Sequence, residues 1–196
     1  PARSSMADAQ SLPHVEIEMI RPNMVGIPQA SFPAGYGMRT MRLEEAPLWT
    51  EIQREADRYS DITDDLFMDQ FGNDVAAIPE RCYFIVREDG LAVGAISAWH
   101  GREFRGGDYG RIHWFGIRPA FQGRGLARPA LSYAMNRLAE WYQRAWLTTG
   151  TMRLKALKLY LDYGFLPILD GLKDRGAWRA VQGVLQHPAL EEALGG

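Results

Sequence analysis

The chain has 196 residues, 46% of them hydrophobic and 23% charged, which is enough for one globular domain with a sizeable core. Twenty-two basic against 24 acidic residues leave a net charge of −2, which excludes a general nucleic-acid binder whose affinity comes from phosphate neutralisation. The single cysteine, Cys82, excludes a disulfide framework and a multi-cysteine zinc site, and no run approaches the ~20 apolar residues of a membrane span.

Residues 1–35 read as an irregular arm broken by Pro13, Pro22, Pro28 and Pro33, with room for a short strand at 15–19. Met6 is a candidate native start. No hydrophobic signal-peptide core follows, so the expected compartment is the cytoplasm, with no membrane partner. Residues 36–42 carry a weak alternating strand pattern. Pro47 then sits where a first helical turn tolerates it, and Trp49, Ile52, Ala56 and Tyr59 follow at helical spacing. Between 51 and 74 there are eight acids against Arg54 and Arg58, the pattern of helices with a strongly acidic outer side.

Residues 81–87 and 91–99 are apolar runs separated by Glu88-Asp89-Gly90, a strong hairpin signal. Cys82 falls in the first of them and reads as a small core residue. A glycine-rich loop follows, then a strand at 112–117 stopped by Arg118-Pro119. Residues 126–142 read as a helix, 145–149 as a strand, 152–163 as a helix ended by Gly164, and 165–169 as a last strand. Trp178, Val181, Val184 and Leu185 suit a closing helix over 171–196, with a strand as the competing reading. The order is α/β, and one mixed-sheet domain over 36–170 accounts for it.

The segment richest in chemistry joins the strand at 112–117 to the following helix through Gln122, Gly123, Arg124, Gly125, Leu126 and Ala127. Glycines let the backbone turn sharply and approach a ligand, and free N–H groups at a helix start favour anions. Arg124 and Arg128 add positive charge suited to a pyrophosphate, and six arginines fall between Arg102 and Arg128. A Walker loop is absent, and Arg128 stands where a dinucleotide fingerprint needs a third small residue. A glycine-rich turn with no ligand is the competing reading.

Two motifs then carry a resemblance. Gln122, Gly125 and Ala127 meet the pattern Gln/Arg-x-x-Gly-x-Gly/Ala after Ile117-Arg118-Pro119. Ala156, Leu159, Tyr160, Gly164 and Phe165 meet Asn-x-x-Ala-x-x-Leu-Tyr-x-x-x-Gly-Phe, with Arg153 in place of the Asn. Together they resemble the GNAT N-acetyltransferase superfamily over residues 36–169. The tryptophan-bearing strand and the Leu147-Thr148-Thr149 run look most like its mycothiol-synthase-type members.

The resemblance implies a mixed, mostly antiparallel twisted sheet flanked by helices and splayed between its fourth and fifth strands. It implies acetyl-CoA as cofactor. The contacts it carries over are Phe115, Gly116 and Ile117 for the pantetheine arm and residues 122–128 for the pyrophosphate, with Arg153 a further contact to CoA or to the acceptor. Gly116 in mid-strand suits a bulge or a close backbone approach. The resemblance makes Tyr160 the proton donor to the leaving thiolate. His113, four residues before Ile117 and so expected on the same strand face, is the amine's base, with His100, Glu103 and Asp108 behind it through water. His14 and His187 read as surface residues, and four scattered histidines make no metal site. The implied partner is a small-molecule or peptide primary amine, cationic if the acids at 51–74 face it, met by a monomer or homodimer. A non-catalytic acyl-CoA sensor on the same fold is the alternative.

Overall fold

The computed structural model describes residues 12–102 and 104–195. In chain order the strands are β1 (Glu16–Arg21), β2 (Tyr36–Thr40), β3 (Cys82–Arg87), β4 (Ala92–Gly101), β5 (Tyr109–Ile117), β6 (Ala145–Gly150) and β7 (Leu166–Pro167). The helices are α1 (Ala46–Ala56), α2 (Leu66–Phe71), α3 (Ile78–Arg81), α4 (Ala127–Trp141), α5 (Leu154–Asp162), α6 (Leu172–Leu185) and α7 (Pro188–Leu194). Residues 28–142 make one compact unit, and 12–27 join 143–195 in the other.

In the unit 28–142 the strands pair antiparallel in the order β2-β3-β4-β5. The β3–β4 hairpin turns where Asp89-Gly90 placed it. Gly90 has φ +87°, Arg87 N–H donates to Leu91 O at 2.9 Å, and the Asp89 carboxylate accepts the Leu91 N–H at 3.2 Å. The Arg87 guanidinium grips the same carboxylate and holds the Asp89 pKa down at about 2. Glu45 ties β2 to α1: it takes both Arg39 guanidinium nitrogens and the Arg42 N–H, and its pKa falls to about 2.

Phe84 and Ile85 alternate across β3, and two apolar clusters form on the two faces they define. One holds Trp49 and Ile52 of α1, Phe67 and Phe71 of α2, Phe84 and Trp99. The other holds Ile85, Val93, and Leu126 and Ala130 at the start of α4, with Phe115, Ile117 and Phe121 packed against it. Cys82 belongs to the first cluster at 1% exposure, and burial pushes its thiol pKa up to about 12.

Strand β5 is longer than its sequence pattern. Gly110, which reads as loop, is a strand residue over which α4 packs: a Cβ there would lie 2.7 Å from Leu138 Cδ2. Gly94 likewise admits a neighbour, since a Cβ there would meet the Gly116 carbonyl oxygen at 2.7 Å.

In the other unit β1 pairs antiparallel with β6 on one side and β7 on the other. Strand β1 is the short strand allowed at 15–19, carried on to Arg21, and the expected last strand shrinks to Leu166–Pro167. The closing segment is helical but double. Gln186 takes φ +48°, and His187 restarts the chain as a cap, its Nδ1 accepting the Ala189 N–H at 3.2 Å before Pro188 opens α7. Trp178 and Val181 of α6 are buried. Arg21 of β1 donates to the carbonyls of Tyr163 and, at 2.8 Å, Val25, and so caps the end of α5 where Gly164 turns with φ +78°.

Gly94→Ala should cost about 1–3 kcal/mol, because the new methyl meets backbone rather than a flexible side-chain tip. Gly37→Ala on β2, where a Cβ meets nothing within 4 Å, is the control and should leave the denaturant midpoint nearly unchanged.

Candidate acyl-CoA site

Strand β5 carries one extra residue. Ala95 pairs with Gly116 and Ser97 pairs with His113, so Ile96 is opposed by both Trp114 and Phe115. Trp114 takes φ +48°, a left-handed conformation costly for a bulky residue. Its carbonyl accepts from Gln53 Nε2 of α1 at 3.0 Å, and its indole N–H donates to Gln70 Oε1 of α2 at 3.0 Å. The bulge expected at Gly116 therefore falls two residues earlier. Gly116 serves the close approach instead: a Cβ there would lie 2.7 Å from Gln53 Oε1 and 3.0 Å from Ala56 Cβ.

The extra residue also breaks the alternation that would put His113 and Ile117 on one face. His113 lies on the α1–α2 side, 5.4 Å ring to ring from Phe71, whereas Ile117 packs in the cluster under α4. His113 is 6% exposed, and its ring meets no hydrogen-bond partner among the described residues. Burial, with the neighbouring Arg111 and His100 charges, holds its pKa well below the ordinary histidine value.

After Ile117 the chain is pinned before it turns. Arg118 N–H donates to Val93 O at 2.9 Å. The Arg118 guanidinium, nearly buried, donates to Ala92 O at 3.0 Å, to Glu51 at 2.8 Å and to Glu55. A single turn of 3₁₀ helix at Pro119–Phe121 leads to Gln122, whose side-chain amide closes the turn onto Ile117 O at 2.9 Å. Gly123 and Gly125 both take positive φ, +75° and +77°. A Cβ would find open space at the first and only Pro33 at 3.7 Å at the second. Glycine is thus required here by backbone conformation, and the surface beside the loop stays open.

Leu126 then precedes α4 and offers no side-chain cap, so the first N–H groups of a 15-residue helix are left without a side-chain partner. That arrangement fits an anion of pyrophosphate type. Arg124 stacks 5.1 Å from the Phe121 ring, with its Nη1 3.5 Å from the Tyr36 hydroxyl, and Arg128 is the second residue of α4. The positive field is narrower than the sequence count implied. Arg118 is spent on Glu51 and Glu55, Arg102 on Asp74, and Arg105 stacks on Phe104. Arg124 and Arg128 are the two that flank the glycine turns.

Tyr160 lies on the buried side of α5 at 7% exposure, beside Phe165 at 6.0 Å. Its hydroxyl meets no hydrogen-bond partner among the described residues. Burial raises its pKa to about 12, with the Arg153 charge pulling the other way, so the group keeps its proton at neutral pH. Arg153 stands just before α5, its N–H donating to Gly150 O at 3.0 Å.

Of the fallback bases, Glu103 lies outside the described residues. His100 shares Asp74 with Arg102, at 3.0 and 2.9 Å, and burial lowers its pKa. Asp108 lines an open cleft with Arg102, Gly106 and Gly107. His187, expected at the surface, bonds Asp162 at 3.3 Å and caps α7. Gln53 and Gln70 escaped the sequence reading. The one available signal was a glutamine among Trp49, Ile52 and Ala56 on the stripe that α1 buries.

The family model for the acetyltransferase (GNAT) family matches residues 42–165. No curated protein matches the chain significantly. Among solved structures, a GCN5-related N-acetyltransferase from Sphaerobacter thermophilus is similar with a TM-score of 0.66 at 20% identity, over 79% of this chain and 49% of that one. A GNAT-family acetyltransferase from Colwellia psychrerythraea gives 0.60 at 11% identity, over 80% and 55%. A GCN5-related N-acetyltransferase from Kribbella flavida gives 0.51 at 17%, over 79% and 56%. The chain spans about half the length of these structures, and at such identities the likeness is one of fold: a mostly antiparallel sheet flanked by helices. With the family model covering well over half of its residues, the chain belongs to the GNAT acetyltransferase family.

Proposed function

We propose that the protein is an acetyl-CoA-dependent N-acetyltransferase that moves an acetyl group to a primary amine by direct attack. The observation that carries this reading is the pairing of a bulged β5 with an uncapped α4 reached through two left-handed glycines. Acetyl-CoA supplies an activated acetyl thioester. Residues 122–128 hold the pyrophosphate on the backbone N–H groups of the turn and of α4, flanked by Arg124 and Arg128. Residues 115–117 offer backbone to the pantetheine arm and an N–H to the negative charge that grows on the acyl oxygen. Tyr160, still protonated at neutral pH, gives its proton to the departing thiolate. His113, held neutral by burial and set by the bulge on the α1–α2 side of β5, is the proposed acceptor of the amine's proton. Arg153 is kept as a contact for CoA or the acceptor.

For the acceptor we propose a small-molecule or peptide amine. The case for a cationic one rests on fewer acids than the sequence count supplied. Glu51 and Glu55 neutralise Arg118, Asp64 pairs with Arg54, and Asp74 holds His100 and Arg102. Asp61, Asp65 and Asp69 have no ion pair among the described residues and are the ones left to attract a cation. The mycothiol-synthase-type placement is supported by the tryptophan-bearing strand and the Leu147-Thr148-Thr149 run.

The test is calorimetric titration with acetyl-CoA, then thiol release against a panel of amines. Binding without turnover on any amine would favour the sensor reading. Gly125→Glu adds a side chain at positive φ and a negative charge beside the anion, and should abolish acetyl-CoA binding in a folded protein. Unchanged affinity would remove the loop from the site. Tyr160→Phe should lower kcat roughly 10- to 1000-fold with little change in acetyl-CoA affinity, and full activity would end its role as acid.

A base must be neutral in the folded protein, and that has a signature in stability. The depressed folded pKa of His113 means that the unfolded chain takes up a proton the folded chain refuses. Its contribution should be fully present above pH ~6.5 and lost as the pH falls below that value. In His113→Gln the acid loss of stability should shrink, and an unchanged profile would show that the ring is not held neutral.

A further inference from the structure

Helix α1 buries two uncharged polar side chains: Thr50, which bonds its own helix at Ala46 O, and Gln53, at 2% exposure beside Trp49 and Ile52. A buried amide is costly unless it is bonded, so its partner deserves an account. That partner is the carbonyl of Trp114, the residue whose left-handed backbone makes the β5 bulge. The fit is mutual. Gln53 Oε1 occupies the space that any side chain at position 116 would need, so glycine at 116 and glutamine at 53 are each suited to the other.

The peptide joining Trp114 to Phe115 is planar and trans, so its carbonyl and its N–H point in opposite directions. A hand on one end sets the other. Gln53 draws the carbonyl toward α1 and thereby turns the Phe115 N–H off that side of the sheet. The second glutamine, Gln70 of α2, holds the indole ring and not the backbone, so of the two side-chain bonds to Trp114 only that of Gln53 bears on the peptide plane.

We infer that Gln53 is a positioning residue, which through the Trp114 carbonyl aims the Phe115 N–H at the acyl oxygen of the bound thioester. This rests on the acyltransferase reading above. Gln53 is buried and spends its donor on the Trp114 carbonyl, so it acts through the peptide and not by contact. It acts on the charge that grows during the reaction and not on the affinity for CoA, whose proposed phosphate contacts lie beyond Arg118.

The experiment compares the wild type with Gln53→Met, which keeps length and volume and removes the donor. The first readout is the carbonyl stretch of [1-¹³C]acetyl-CoA bound without amine, measured by isotope-edited infrared spectroscopy. It should be red-shifted from its solution value in the wild type and should return toward that value in the variant. The second is kcat, which should fall roughly 10- to 100-fold, less than the loss of a whole oxyanion donor. The KM and the calorimetric Kd for acetyl-CoA should stay within about threefold.

Ile52→Val, one residue away in the same buried helix, is the stability control. It should lower Tm without changing the stretch or kcat. Should Gln53→Met fail to fold, Gln53→Leu, which likewise carries no donor, is read in the same way. A variant that keeps the bound stretch and kcat of the wild type overturns the positioning role. So does one whose losses match those of Ile52→Val at equal Tm. Failure of the wild type itself to bind acetyl-CoA in the calorimeter would instead overturn the acyltransferase reading.

Discussion

The extra residue in β5 is the constraint on which the unit 28–142 depends. A regular strand would send His113 and Ile117 to one face. With Trp114 inserted, His113 goes to the aromatic side under α1 and α2, and Phe115 and Ile117 go to the side under α4. A bulky residue at positive φ costs on the order of 1–3 kcal/mol. Two hydrogen bonds to Trp114, each worth roughly 0.5–1.5 kcal/mol net, and its edge contact with Trp49 at 5.4 Å are of the size needed to offset that cost. The helices at 46–71 are thus part of the strand's conformation and not only a cover for it.

Much of the frame was legible because its signals are local. Asp89-Gly90 fixed a hairpin, Pro47 opened α1, and Gly164 ended α5. The loop at 122–127 was legible for the same reason, since two glycines without a packing demand point to a backbone demand. The bulge was not legible. No residue type announces that a tryptophan will adopt positive φ, and Gly116 drew the expectation two positions too far along. Gly110 misled in the opposite sense: it read as loop, whereas the missing side chain makes room for Leu138 and Tyr142. The break between α6 and α7 was marked by Pro188, but a helical periodicity on either side hid it.

Charge was the least transferable quantity. Counting acids at 51–74 and arginines at 102–128 makes two opposed fields. In the fold the two runs meet, with Arg118 on Glu51 and Glu55 and Arg102 on Asp74. Much of the apparent segregation is therefore the two halves of the same ion pairs. Exposed pairs of this kind add little stability. Arg118 differs because it is nearly buried and also bonds the Ala92 carbonyl, so it joins β4, the end of β5 and α1 at the point where the chain leaves the sheet for the glycine turns.

The buried thiol in β3 has a practical meaning for the bench. Cys82 is the chain's single cysteine, 1% exposed, with Ser97 Oγ at 3.4 Å and a pKa pushed up to about 12. Thiolate is the reactive form, and at neutral pH this site holds almost none of it behind a closed core. The folded protein is therefore silent toward disulfide dyes and maleimides. Any colour that such a reagent develops in a mixture comes from thiols other than Cys82, and a slow colour with the protein alone reports unfolding.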